Sequence, residues 1–298
     1  MTTLGRPNLS RDQWSALLVT SNWRGAVHLA GHLGLLAITS TLILAKVPLW
    51  PVLLLPQGIL LIFLFAPLHE SVHRTAFRSK WCNDAVAFFC GWLLLLPPIW
   101  FRYFHIAHHR FTNLADKDPE LAIEKPDSRI EYIVYLSGIP IWASRFQDLL
   151  GHTHGRNIGE FVPRKAQNHV AMEARWFLAL YVIAFALAGE QLLLIWVYPA
   201  LIGQPFLRAF LLAEHWQCPQ IPDMLANTRT TFTTAAMRKL TWNMCYHAEH
   251  HAQKAIPFHK LPEFHRHTAP HLKVTQGGYF NLHRAIWRGF PSLGLFPL

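Results

Sequence analysis

A chain of 298 residues in which 52% are apolar and only 15% charged, with a mean hydropathy of +0.18, has too little charge to cover an ordinary soluble surface; a membrane is its natural solvent. Lys and Arg outnumber Asp and Glu by 27 to 17, a net charge of +10 that suits either nucleic acid or the cytoplasmic loops of a membrane protein. Cys82, Cys90, Cys218 and Cys245 form no C-x-x-C pair, which excludes a disulfide framework and a thiolate metal site.

The chain opens on MTTLGRPNLSRDQWSALL, a polar string unlike the charged-then-apolar run of a secretory signal. Apolar runs at 26–47 and 49–68, parted at Pro48, are each long enough to cross a hydrocarbon core of roughly 30 Å. They predict a helical hairpin. The run DAVAFFCGWLLLLPPIW (84–100) is shorter and ends at Pro97-Pro98, as an interfacial or re-entrant segment would. YIVYLSGIPIW (132–142) is shorter still and is read alike. A second pair of spans follows at 174–188 and 191–213, divided near Gly189 and Glu190.

With the N-terminus in the cytoplasm, Lys46 is the one basic residue of the external loops, which satisfies the positive-inside rule. The basic charge is thus spread over membrane-adjacent loops without a reading motif, which removes nucleic acid as a partner. The expectation is an all-α integral membrane protein. Four transmembrane helices in two hairpins, interfacial or re-entrant helices and a cytoplasmic helical cap would form a single domain over residues 1–298.

The 19 histidines are not scattered at random. HESVH brings His69 and His73, HIAHH brings His105, His108 and His109, and HAEHH brings His247, His250 and His251. Positions i, i+3 and i+4 lie on one helix face, so each triplet can present imidazoles to a common centre. All three boxes fall at the same, cytoplasmic ends of the spans. HESVH alone fits the H-E-x-x-H pattern of zinc peptidases, with Glu70 as the base, but one zinc is saturated by three or four ligands. Eight imidazoles call for two metals, and nitrogen donors without thiolate suit iron, copper, nickel or zinc. A metal transporter would need ligands along a path through the spans, whereas these cluster at one end. Glu70, Glu214 and Glu249 are candidate acceptors for the outer ring nitrogens.

The three boxes, with AEHWQCP (213–219), NTRTT (227–231), NMCYHAEHH (243–251) and PFHKLPEFH (257–265), resemble the membrane fatty acid desaturase superfamily over roughly residues 25–270. That resemblance implies two irons, O₂ as co-substrate and two external electrons. The eight box histidines are then metal ligands, joined by His215 in AEHW, and Asn243 acts near the third box through a water. It also implies a fatty acyl or lipid substrate and desaturation, with hydroxylation or ketolation of a lipid or carotenoid as the alternative on the same site. No cytochrome b5 segment or Fe–S cysteine set is present in the string, so electrons are expected from a separate ferredoxin, rubredoxin or cytochrome b5. His247 stands where front-end desaturases carry glutamine. The short first box is more like acyl-lipid desaturases or ketolases than acyl-CoA enzymes. His28, His32, His152, His154, His259, His265, His267 and His271 lack the repeated spacing and are expected in structural or surface roles.

Overall fold

The computed structural model describes residues 7–290; the ends of the domain expected over 1–298, including the first six residues of the polar N-terminal string, lie outside the described residues. α1 (Arg11–Leu17) starts on a capping box in which Ser10 Oγ accepts from Gln13 N and the Gln13 side chain accepts from Ser10 N, at 3.2 and 2.8 Å. Ser21 caps α2 (Asn22–Leu44) through its hydroxyl, so this helix begins before the apolar run at Ala26. After a 3-10 turn at Trp50–Leu53, the second apolar stretch is carried by α3 (Leu54–Ile62) and α4 (Phe65–His73), and it runs beyond Leu68 to the end of HESVH.

α5 (Lys80–Leu93) and α6 (Pro98–Phe111) meet at 99°, as a broken span or a re-entrant loop. The bend has local causes: Leu95 adopts a φ of 51°, and Pro97-Pro98 withhold two backbone donors, Pro98 then opening α6 at its first position. Segment 132–142 is split by Gly138, whose φ of 68° ends α7 (Arg129–Ser137) and starts α8 (Ile139–Thr153).

Arg164–His215 is one helical stretch by hydrogen bonding, α9 (Arg164–Leu192) passing through a π-helical turn at Leu193–Val197 into α10 (Tyr198–His215). It is not straight. Ala188 has non-helical angles (φ −147°, ψ 37°), and the rings of Tyr181 and Trp196 lie 5.8 Å apart, where a straight helix would separate them by about 22 Å. The break falls just before the expected division at Gly189. Among the described residues, then, three helical stretches are long and apolar enough to cross a membrane, or four with the bent α5–α6 pair. Spans expected at 174–188 and 191–213 both fall in the third, and the polar residues from Arg164 extend its first helix, which hydropathy alone does not register.

The all-α expectation needs one correction. β1 (Thr230–Phe232) and β2 (Thr275–Gly277) pair in parallel, Thr230 opposite Thr275, so the chain is mostly rather than wholly helical. α11 (Ala235–Leu240), α12 (His247–Ala252), α13 (Leu261–Thr268) and α14 (Tyr279–Gly289) complete the C-terminal part.

α3 and α10 pack backbone to backbone. A Cβ on Gly58 would lie 2.1 Å from the Pro199 carbonyl oxygen, and one on Gly203 would lie 2.2 Å from that of Gly58. Small residues allow such an approach where apolar solvent gives helices little reason to associate. Buried Gln57 ties the same region together, donating to Ile195 O and Ser40 Oγ at 2.8 Å each. Beneath the histidines a core of Phe63, Leu64, Leu68, Phe101, Leu207, Phe210, Trp242 and Phe258 fixes the ends of α4, α6 and α10 relative to α12.

Candidate metal centre

Nine imidazoles gather in two neighbouring clusters. His69, His73, His105, His109 and His250 form one, and His108, His215, His247 and His251 the other; within each, one nitrogen per ring lies within 4.8 Å of all its partners. The two H-x-x-H-H boxes do not each serve one centre, as the sequence suggested. On α6, His105 and His109 enter the first cluster and His108 the second; on α12, His247 and His251 enter the second and His250 the first. Residues four apart on a helix point nearly the same way, while the residue between them is turned aside, so each box serves both clusters. α4 adds His69 and His73 to the first cluster, and His215, the last residue of α10, completes the second.

Facing Nε2 atoms are 3.0 Å apart in His105–His109, 3.1 Å in His109–His250, 3.2 Å in His215–His247 and 3.1 Å in His247–His251. Ligands at about 2.1 Å from one ion and at right angles to one another would be roughly 3.0 Å apart. The donors therefore fit a metal in each cluster, a test passed on spacing and chemistry alike.

In the second cluster every outer Nδ1 faces an oxygen. His108 Nδ1 lies 2.9 Å from Asp118, His251 Nδ1 2.9 Å from Thr112 Oγ1, His247 Nδ1 3.2 Å from Glu214 and His215 Nδ1 3.4 Å from Asn227 O. Thr112 donates its own hydrogen to His108 O at 2.8 Å, which leaves it as an acceptor for His251. The oxygens of Asp118, Thr112 and Asn227 hold the protons on Nδ1 of His108, His251 and His215 and turn their Nε2 lone pairs inward, whereas Glu214 stands near His247 Nδ1 without hydrogen-bonding it. Asp118 is itself fixed by the backbone N–H groups of Asn113 (2.7 Å) and Glu120 (3.0 Å). The Glu120 carboxylate lies 3.4 Å from His108 Nε2.

The first cluster has fewer outer partners. Glu70 Oε1 stands 4.0 Å from Nδ1 of both His69 and His250, while Glu70 Oε2 accepts from Thr75 Oγ1 and Phe258 N at 2.9 and 3.1 Å. His69 Nδ1 and Nε2, His73 Nε2 and His109 Nδ1 are buried without a partner among the described residues. Burial holds His247, His250 and His251 well below the ordinary imidazole range, and their neighbours' positive charge adds to it. Neutral imidazole is the ligating form.

Of the expected outer partners, Glu70 and Glu214 face the clusters. Glu249 does not: its carboxylate is taken by His265 Nδ1 and Thr230 Oγ1, which clamps α12 to α13 and β1. Asn243 also meets no cluster histidine; its amide donates to Phe258 O at 3.0 Å and braces the loop that places Glu70's second donor. Sequence reasoning missed Asp118, Thr112, Asn227 and Glu120. The signal available was the acidic ADKDPE (115–120) just after the second box and the asparagine that opens NTRTT. His28 and His32 bond backbone carbonyls, Lys239 O at 2.6 Å and Leu60 O at 2.7 Å, away from both clusters.

A cavity of about 100 Å³ touches both clusters through His69, His105, His108 and His247. It shares Phe101, Phe104, Ile123, Arg145 and Arg208 with a larger one of about 380 Å³ that runs past Leu96, Trp100, Leu149 and Phe161.

Residues 45–281 match the sequence model described as "Fatty acid desaturase". A "Delta(9) fatty acid conjugase-like enzyme" of Dimorphotheca sinuata is 25% identical over 282 residues, 80% of this chain and 73% of that protein. "Fatty acid conjugase FAC2 B" of Calendula officinalis is 35% identical over 92 residues, 31% of this chain and 24% of its own. "Omega-6 fatty acid desaturase, endoplasmic reticulum isozyme 1" of Glycine max is 30% identical over 83 residues, 28% of this chain and 21% of its own. These last two matches thus span about a quarter of each relative's length. With the match covering most of the chain and all three histidine boxes inside it, the chain belongs to the fatty acid desaturase family.

Proposed function

We propose that this chain is an integral-membrane di-iron oxidoreductase that desaturates a fatty acyl or lipid substrate with O₂ and electrons from a separate redox protein. The nine clustered histidines are the ligands, five to one iron and four to the other. The single observation that carries this reading is the division of each H-x-x-H-H box between two clusters, because no one-metal peptidase site has use for the second set. Glu70, the base such a peptidase would need, already has one oxygen occupied by Thr75 and Phe258.

Two irons, when bound, supply the activation of O₂ that a saturated C–H bond requires. The chain's own residues do the rest. Asp118, Thr112 and Asn227 O hold Nδ1 protons, so that the orientation of three rings is set before any ligand arrives. Phe101, Phe104, Trp100 and Phe161 line an apolar path to the clusters, exclude water and hold the substrate in place, which selects one methylene pair among near-identical ones. In this reading α2 with α3–α4, and α9 with α10, are the two transmembrane hairpins. The basic loops put the clusters on the cytoplasmic side, and α11–α14 form the cap of a single unit.

The test is metal content with product analysis. The purified chain should hold about two irons, against one zinc for the peptidase. A host expressing it should gain an unsaturated lipid that the His108→Ala and His250→Ala variants do not make. A hydroxylated or oxo product instead would move the chain to the alternative chemistry, and full activity in both variants would end the proposal.

A further inference from the structure

Arg208 has no role in the histidine clusters, yet it sits beside them. It lies on α10 inside a membrane-spanning stretch, is 4% exposed, and its Nε and Nη2 have no hydrogen-bond acceptor among the described residues. No carboxylate of those residues comes within ion-pair distance. Glu214 and Glu120 line the same small cavity, and their nearest nitrogens are His247 Nδ1 at 3.2 Å and His108 Nε2 at 3.4 Å rather than the guanidinium. Arg145 borders the cavity as well, with Nη1 donating to Leu94 O at 3.1 Å, and Arg208 and Arg145 stand where the small cavity meets the larger apolar one. A buried guanidinium with idle donors is costly unless something pairs with it. An ionisable group at membrane depth therefore calls for a function, and pure hydrocarbon would leave it unpaired.

Resting on the oxidase reading above, we infer that the substrate carries a carboxylate bound by Arg208, with Arg145 beside it, at the junction of the two cavities. The apolar remainder of the substrate lies along Trp100, Leu149 and Phe161. The guanidinium fork matches a carboxylate bidentately, which a lysine does not. Because the cavity that Arg208 borders also touches His69, His105, His108 and His247, the carbons presented to the clusters are those near the carboxylate rather than those in the middle of a long chain. The substrate is thus a free acid held by its head group inside the protein. A phospholipid or thioester, whose polar end stays outside, would bring no anion to this point.

Equilibrium binding of radiolabelled dodecanoate to the purified chain in nanodiscs, with methyl dodecanoate as competitor, tests this without turnover. The wild type should prefer the acid by about ten- to a hundredfold, the strength of hydrogen bonds to a charged group. Arg208→Gln should erase that preference while leaving ester binding unchanged, and Arg208→Lys should keep part of it. Equal affinity of the wild type for acid and ester overturns the inference, as does a preference that survives in a folded Arg208→Gln variant. Should that variant not fold, the wild-type ratio and Arg145→Gln decide, the latter weakening acid binding only. A chain with two irons and an unsaturated product but no acid preference would refute this inference and leave the oxidase standing. Acid preference without iron would do the reverse.

Discussion

The clearest quantitative consequence of the site concerns Asp118. This buried carboxylate bonds His108 Nδ1 at 2.9 Å and is held by two backbone N–H groups at 2.7 and 3.0 Å, so it is a rigid acceptor for a single imidazole of the second cluster. Asp118→Ala frees His108 to rotate and to place its proton on either nitrogen. A hydrogen bond to a charged partner contributes about 1.5–3 kcal/mol, a factor of roughly 10–150 in affinity, and outer partners of metal ligands typically contribute 10–100-fold. Ion affinity of the second cluster should therefore fall by about one to two orders of magnitude, while the first keeps its full set of five imidazoles. Titrating iron into the apo chain by calorimetry should resolve one weakened and one unchanged site, with the stoichiometry falling from two towards one when iron is limiting. Exposed Asp116 in the same loop, changed to Asn, which tolerates its left-handed backbone (φ 61°), serves as the control and should leave both sites unchanged. Equal weakening of both sites, or of neither, would refute the assignment of Asp118 to His108 alone.

Gly203→Leu should drive a side chain into the Gly58 backbone, lower the thermal midpoint in detergent through an overpacking cost of about 1–3 kcal/mol, and reduce the iron content of both clusters together. Glu70→Gln keeps an oxygen for Thr75 and Phe258 but removes the charge facing His69 and His250, so iron should be lost first from the first cluster, seen as a stoichiometry near one. His28→Ala should leave two irons in place while lowering stability by about 1 kcal/mol or more, since its ring bonds the Lys239 carbonyl and packs on Trp242 and Phe258 rather than entering either cluster. Glu249→Gln should act on stability before chemistry, weakening the clamp to His265 and Thr230, and unfolding midpoint rather than iron affinity would register it.

The histidines were legible because helical spacing is short-range: residues three and four apart in HIAHH and HAEHH announce a shared direction before any tertiary contact is known. Which ring goes to which cluster was not legible. That assignment depends on how α6 and α12 face each other, and their rings meet across a separation such as His109 to His250, which no local pattern encodes. The same limit explains Glu249, which neighbours His250 in sequence but leaves the helix on the other side, towards His265. Asp118 shows the converse. It lies in a loop whose path is set by Asn113 N–H and the Cys218 carbonyl that Asn113's amide reaches, so its proximity to His108 is a property of the folded loop. The apolar runs gave the approximate positions of the spans but not their limits, because Ser21 and the polar turn from Arg164 extend helices by capping and hydrogen bonding that hydropathy does not measure.

The two clusters differ in a way that follows from their supports. Among the described residues three carboxylates, Asp118, Glu120 and Glu214, stand within 3.4 Å of rings in the second cluster, whereas the first has only Glu70, at 4.0 Å. A charged carboxylate close to an imidazole raises its basicity and offsets cationic charge, and in a buried site that offset is large. The first cluster instead offers a fifth imidazole. Its rings are fixed less by hydrogen bonds than by contact with one another, as in the 4.6 Å approach of His73 to His109 and the 4.3 Å approach of His69 to His105. Two ions held in such unequal fields would not be equivalent, and the small cavity is bordered by His69 and His105 of the first cluster and by His108 and His247 of the second, so that under the proposed function a substrate there would face both at once.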